Sequence, residues 1–539
     1  MGVMHRTVVI GIDGATFAIL DLLMKSGVMP TLAGCVAGGA RADLMSTPNP
    51  LTPPAWTSLA TGRTPGNHGV FDFLSPKETD SGVFITLTSA RDVRAETIWA
   101  LVSRLGGRAA VLNFPLTYPV RSVSGYVVPG FIPLRHMKRA MYPADLYRTL
   151  AGQPWFDVRE LAMDLDREKA GVQGLPLQEY ADWIRLHIRR ERQWFEIFRL
   201  IMERDPCDLM AVMFDGTDKI QHLAWRFIDP ACFPEEPTAP EREIRDLCLQ
   251  YFRQLDGYIG QVLALAGPDT RVFIASDHGF GASVEIFFVN VWLYEHGYLQ
   301  WGEAGAVPDD GEQILAQRMR TQYGLLDWAK TTAYALTPSS NGIYIRVARR
   351  PGQPGIRPEE YEAFRRTLVE SLLAFRDPES GEPVVTRAMT REEAFPGRYM
   401  DLAPDVTLVL RDHGLVSILN ADAPLKRRGE PKGMHRPEGI FCAVGPGIRR
   451  GLEVAPLSIV DVPSAVLYSL GLDIPSDFEG RLPEEIFESA LLEVAPPVRG
   501  AATTAPSRGP DRATATPPAL DTEEEAAVLS RLKALGYVE

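Results

Sequence analysis

Three short apolar runs, each delivering an acid at its far end, constrain this chain more than any other feature. Thr7 to Ile12 leads into Asp13-Gly14, Asp208 to Phe214 into Asp215-Gly-Thr-Asp218, and Arg271 to Ala275 into Ser276-Asp277-His278-Gly279. Runs this short and this continuously apolar read as strands buried on both faces, which is how the strands of a helix-covered parallel sheet look. Helical spacing follows or separates them at Ile19 to Met24, from Pro30, at Thr97 to Leu105, at Arg242 to Leu265 and at Val460 to Leu470. Leu177 to Glu203 is a long amphipathic helix whose arginines are assigned to a solvated face. Further strands are expected at Ala40 to Met45, Arg108 to Leu112, Asn341 to Val347, Val406 to Leu410 and Phe441 to Val444. The alternation predicts an α/β fold with a mostly parallel central sheet and helices on both faces. In such a sheet the carboxyl ends of the strands line the ligand crevice, so residues remote in sequence converge there.

At 539 residues and 45% hydrophobic composition the chain can bury one large core with insertions. We expect a catalytic domain over residues 1–490 with cap-like insertions at about 114–200 and 295–400. An Ala/Thr/Pro-rich linker is expected at 491–521, and a docking helix at 522–539, for its own domain or a protein partner. The net charge of -13 and the lack of any Lys/Arg-rich block argue against binding a nucleic-acid polymer. The five cysteines are scattered, lack a C-x-x-C pair and read as reduced core residues. The N-terminus carries no signal-peptide pattern and no run is long enough for a membrane span, so a cytoplasmic location is expected.

Within Leu51 to Val70, Thr52 precedes two prolines and a helix that Gly62 would end. Proline fits the first helical turn, which makes Thr52 a candidate N-cap. Its hydroxyl would lie beside the N–H groups of Ala55 and Trp56 and the positive end of the helix dipole, where a phosphate can settle.

Asp13 and Asp277-His278 each follow a strand. Asp218 and His222 are four apart and share a helix face. His435 lies in Lys-Gly-Met-His-Arg-Pro-Glu-Gly, ahead of a strand rather than after one. Each alone is explained by turn, cap or loop chemistry. Together, three carboxylates, three imidazoles and the Thr52 hydroxyl suit two zinc-like ions, and two ions about 4 Å apart can clamp an in-line displacement at phosphorus.

This order and spacing resemble the alkaline phosphatase superfamily, and within it the type I phosphodiesterase and nucleotide pyrophosphatase family. The resemblance rests on Gly11-Ile-Asp13-Gly14, Thr52-x-Pro54 with Thr61-Gly62 and His68-Gly69, Asp218-x-x-x-His222, Ser276-Asp277-His278-Gly279, and His435 with Gly445-Pro446-Gly447. It implies an alkaline-phosphatase-like three-layer sandwich. It assigns Asp218, His222 and His435 to one divalent ion, and Asp13, Asp277 and His278 to a second beside the Thr52 nucleophile. Zinc is the expected metal and manganese the alternative. Ser46, Thr47 and Thr57 are neighbouring hydroxyls, and Thr52 is preferred because its spacing to Thr61-Gly62 matches the family. The family's asparagine three residues after the nucleophile is Ala55 here, which leaves Asn113 or main-chain N–H groups to support the phosphoryl oxygens.

The expected activity is hydrolysis of a phosphodiester or diphosphate of a nucleotide or related metabolite, through a covalent phosphothreonine. A phosphomonoesterase or phosphotransferase of the same superfamily and a non-catalytic metal-stabilised scaffold are the alternatives. A sulfatase is disfavoured, because Thr-Pro-Pro-Ala-Trp departs from the C/S-x-P-x-R signature.

Overall fold

The computed structural model describes residues 5–79, 82–162, 177–302 and 326–503. The expected docking helix, the linker beyond Thr503 and residues 303–325 lie outside the described residues. The central sheet has nine strands. From one edge it runs Leu452–Glu453, Ala40–Met45, Glu438–Val444, Arg271–Ala275, Thr7–Ile12, Leu209–Phe214, Ala109–Leu112 and Gly125–Val128, with Leu457–Ser458 also paired to Ala40–Met45. Thr7–Ile12 pairs in parallel with both neighbours, while Glu438–Val444 runs antiparallel to both of its own.

Strand alternation divides the sheet's side chains between two cores. Val8, Ile10 and Ile12, with Met210, Val212 and Phe214, face the helices Phe17–Lys25, Leu177–Arg204, Gly216–Ile228 and Ala239–Ala266. Val9, Leu209, Ala211 and Met213 face the helices Thr52–Thr61, Ile98–Arg104 and Val462–Ser469. The three-layer α/β sandwich expected from the sequence is therefore present. Among the described residues no single helix is long and apolar enough to cross a membrane.

Within the first segment expected as a cap, Gly125–Val128 extends the sheet in parallel with Ala109–Leu112, and Leu177–Arg204 packs into the larger helix layer. Strands of the second segment join Val406–Leu410 beyond it in a further sheet. Ala333–Ala335, Gly342–Ile345, Val406–Leu410 and Val385–Thr390 build a four-stranded antiparallel sheet. It shares a third core with the helices Val289–Glu295 and Tyr361–Ala374 and reaches Leu51. The start of the expected linker is also engaged. Arg499–Gly500 pairs with Ile474–Pro475, and Thr503 donates its N–H and hydroxyl to Asp477.

Candidate active site

Each candidate ligand enters the crevice from a defined element. Asp13 follows Thr7–Ile12, and its N–H donates to Phe214 O on the neighbouring strand at 3.0 Å. Gly14 then turns with φ +67, and its N–H donates to Asp277 Oδ1 at 3.1 Å. Asp218 and His222 lie one turn apart on Gly216–Ile228. Asp277 and His278 bridge Arg271–Ala275 and the strand Gly279–Phe288. His435 is a strand residue, opposite Phe280 in the antiparallel pair of Leu425–Arg436 with Gly279–Phe288. The next strand, Glu438–Val444, runs against its neighbours, so its start lies where theirs end. That reversal puts His435 at the ligand edge although it precedes a strand.

The structure brings together all seven residues singled out by the sequence: Asp13, Thr52, Asp218, His222, Asp277, His278 and His435 are buried and adjoin one another. His278 Nε2 lies 3.2 Å from Asp277 Oδ2, 3.7 Å from Asp13 Oδ1 and 3.9 Å from Asp218 Oδ1. His435 Nε2 lies 3.2 Å from Asp218 Oδ1 and 3.0 Å from His222 Nε2. Two groups able to hold a metal ion emerge, Asp13/Asp277/His278 and Asp218/His278/His435. His278 belongs to both. His222, at 3.5 Å from Asp218 Oδ1, flanks the second.

The donor set fits divalent cations on an observation independent of family. The three Nδ1 atoms each contact a main-chain carbonyl: His222 to Gly433 O at 3.1 Å, His278 to Gly279 O at 3.2 Å, His435 to Pro50 O at 2.7 Å. A carbonyl only accepts, so each Nδ1 carries a proton and each Nε2 offers its lone pair to the site. Lone pairs of His222 and His435 then face each other across 3.0 Å, which a shared cation relieves. Asp13 Oδ1 and Asp277 Oδ2 are buried without a hydrogen-bond partner.

Burial, with Asp277 and Asp218 nearby, pushes the Asp13 carboxyl well above its ordinary value, and burial together with Asp218 does the same to Asp277. Burial also raises Asp218, but the positive charge that His222 and His435 carry when protonated outweighs it and holds that carboxyl below the usual range. Burial drives His278 and His435 toward the neutral, ligating form.

Thr52 is placed differently from the sequence expectation. Leu51, with φ -133 and ψ 138, is the N-cap, and Thr52 is the first helical residue. Ala55 N–H donates to Leu51 O at 3.0 Å and is not free for a ligand. Trp56 turns its indole into the core against Phe114, with ring centroids 5.3 Å apart. Pro53 and Pro54 carry no N–H, so two of the first turn's usual amide donors are missing. Asn113 Nδ2 donates to Met213 O at 2.9 Å, tying two strand ends together. Ala55, Trp56 and Asn113 thus each have a partner within the protein. Of the neighbouring hydroxyls, Thr57 donates to Pro53 O and Thr47 to Asn49 O, Ser46 Oγ is buried without a hydrogen-bond partner, and Thr52 Oγ1 lies 3.4 Å from His278 Nε2.

Sequence reasoning missed a group of buried charges beside the Asp218 helix. Glu191 and Lys219 are buried, and Lys219 pairs with Asp215. Glu191 lies on the apolar side of Leu177–Arg204, three residues after Ile188, four before Phe195 and two turns after Ile184, and that spacing was the available signal. Phe280 was missed too. Its ring lies 4.8 Å from that of His222 and 5.0 Å from that of His435, and it fills the space a Cβ on Gly14 would need.

A three-layer sandwich whose sheet edge gathers buried carboxylates, imidazoles and one hydroxyl defines the class, an alkaline-phosphatase-like hydrolase of phosphoric esters. The profile of the family described as type I phosphodiesterase / nucleotide pyrophosphatase matches residues 7–438, and the chain belongs to that family. Among solved structures it is similar to phosphonoacetate hydrolase from Sinorhizobium meliloti 1021 in complex with phosphonoformate, with TM-score 0.53 and 16% identity over 87% of this chain and 95% of that one. It is also similar to murine ectonucleotide pyrophosphatase / phosphodiesterase 5, solved as an inactive threonine-to-alanine variant in complex with AMP. There the TM-score is 0.50 and the identity 13%, over 90% of this chain and 100% of that one. At these identities the two structures share its fold. No curated protein matches the chain significantly.

Proposed function

We propose that the protein hydrolyses a phosphodiester or diphosphate bond of a nucleotide or related metabolite, with Thr52 as nucleophile and two divalent ions, zinc or manganese, at the buried ligand groups. The observation that carries this reading is the position of Thr52 Oγ1, 3.4 Å from His278 Nε2, the imidazole common to both groups. Asp13, Asp277 and His278 would hold the ion beside Thr52, and Asp218, His222 and His435 the other. Bound there, the ions supply positive charge and Lewis acidity at the reacting phosphate. The chain's own residues do the rest. Thr52 Oγ1 gives up its proton and forms a bond to phosphorus as the bond to the leaving oxygen breaks; the leaving oxygen takes up a proton, and a phosphothreonine that keeps the remaining ester group results. Water then attacks phosphorus, phosphate or its monoester leaves, and the Thr52 hydroxyl is restored. The Nδ1–H bonds to Gly433 O, Gly279 O and Pro50 O keep all three Nε2 atoms aimed inward throughout. The neighbour inactivated by a threonine-to-alanine change and holding AMP supports both the nucleophile and a nucleotide substrate.

The test compares bis-p-nitrophenyl phosphate with p-nitrophenyl phosphate, with zinc or manganese, for the wild type and Thr52→Ala. The diester is expected to react faster and the variant to be inactive. A faster monoester reaction would reassign the protein as a phosphomonoesterase, and no turnover of any phosphate ester by metal-loaded protein would leave the scaffold reading.

A further inference from the structure

Glu191 lies in the middle of the long helix Leu177–Arg204, only 1% exposed. A buried carboxylate is costly unless its hydrogen bonds are made. Glu191 Oε1 accepts the Gly216 N–H at 2.5 Å and the Tyr251 hydroxyl at 3.1 Å. That hydroxyl is in turn 3.1 Å from Thr217 Oγ1. Gly216 and Thr217 open the helix that carries Asp218 and His222, so the carboxylate sits against a helix start, where negative charge is favoured. Asp215, the N-cap, pairs with Lys219 on the same helix. Space at this junction is set by one missing side chain. A Cβ on Gly216 would come within 2.7 Å of Glu191 Oε1, 2.8 Å of the Tyr251 ring and 2.9 Å of its hydroxyl. The close approach of main chain to carboxylate therefore needs glycine at 216, and Glu191 touches none of the seven site residues directly.

We propose that Glu191 is a positioning residue for the second ligand group: by gripping Gly216 N–H and Tyr251 it fixes the first turn of the Asp218 helix, so that Asp218 and His222 are presented together to a divalent ion beside His435. The inference rests on the metal centre of the proposed function. The Asp13/Asp277/His278 group hangs on other strands and does not depend on Glu191.

Zinc titration of the full chain, in competition with a chromogenic chelator, tests this separately from activity. The wild type should bind two ions. Glu191→Ala should weaken one site about 10- to 100-fold, the range for lost outer partners of metal ligands, and shift the other less than about threefold. Glu191→Gln, which keeps the acceptor oxygen, should hold both sites within about threefold of wild type. Gly216→Ala should weaken the same site as Glu191→Ala. The double variant should be no weaker than the worse single variant, because both changes break one contact. On bis-p-nitrophenyl phosphate, Glu191→Ala should lower kcat with KM within about twofold.

Wild-type affinity at both sites in Glu191→Ala, or equal losses at both sites in the Ala and Gln variants, would overturn the proposal. If Glu191→Ala does not fold, Gly216→Ala decides: wild-type affinity there overturns it as well. A wild type that binds two ions but turns over no phosphate ester removes the proposed function and leaves the positioning role to be decided by the titration. A wild type that binds no ion overturns both.

Discussion

Two adjacent prolines shape what Thr52 can do. They strip the first turn of two of its usual amide donors, so this helix start is a poorer seat for a phosphate than an ordinary one. Thr52→Ser, which keeps the oxygen, should stay within about tenfold of wild-type kcat, whereas Thr52→Ala should lose about 10³-fold or more, as nucleophile deletions do. Stopped assays on the diester would show it, and a Thr52→Ala variant as active as wild type would transfer the role elsewhere. Asp277→Asn should lose both bound metal and rate; unchanged metal content would refute the ligand assignment. The seven residues that the structure gathers were legible as a set because each stands out against a strand end or a helix face within a few residues of sequence. The partners of Ala55, Trp56 and Asn113, namely Leu51 O, Gly11 with Phe114, and Met213 O, were not legible, because they are set by helix register and by neighbouring strands.

At the scale of elements, one buried carboxylate ties the segment after Pro65–His68 to the second sheet. Asp72 accepts from Thr337 Oγ1 at 2.5 Å, from Ser339 Oγ at 2.8 Å and from Phe73 N–H at 2.6 Å, and both hydroxyls lie on the loop between Ala333–Ala335 and Gly342–Ile345. Burial outweighs these bonds and pushes the carboxyl from 3.8 up to about 6. Between those values the folded chain keeps a proton that the unfolded chain gives up. The contribution of Asp72 to stability therefore falls as pH rises through that window and is lowest above pH 6. Two pH units correspond to on the order of 3 kcal/mol. Urea unfolding of wild type and Asp72→Asn from pH 4 to 7 should show the wild type losing ground by about that much, and parallel curves would exclude the effect. The strands and helices of the sandwich were legible from apolar period alone. The packing of Gly125–Val128 and Leu177–Arg204 on the sandwich was not legible, because period shows that a segment has an apolar side and not which sheet covers it. Glu191 was hidden for the same reason: its partner, Gly216, is distant in sequence.

For the whole molecule, both ends of the chain's described part close onto the sandwich. A chain ending at Ala495 loses the Arg499–Gly500 pairing and the bonds from Thr503 to Asp477, and Arg63 loses its bond to Thr503. It should melt several degrees below a chain ending at Thr503, given about 1 kcal/mol per hydrogen bond; equal melting temperatures would show these contacts to be idle. Chelation should also lower the melting temperature and added zinc restore it in a concentration-dependent way, because an ion that binds only the folded state stabilises by mass action. A calorimetric scan insensitive to chelator would contradict a resident metal. The reversed strand Glu438–Val444 has a further consequence, for the order in which the molecule can be made. It is the wedge between Ala40–Met45 and Arg271–Ala275, and Ala40–Met45 pairs otherwise only with Leu452–Glu453 and Leu457–Ser458. On the ribosome Thr52 and its helix emerge early, yet the neighbouring Ala40–Met45 strand has no partner until the chain has grown past residue 438, on the order of half a minute later. His435 arrives with that wedge, so the Asp218/His278/His435 group cannot be assembled until the chain has grown past residue 435.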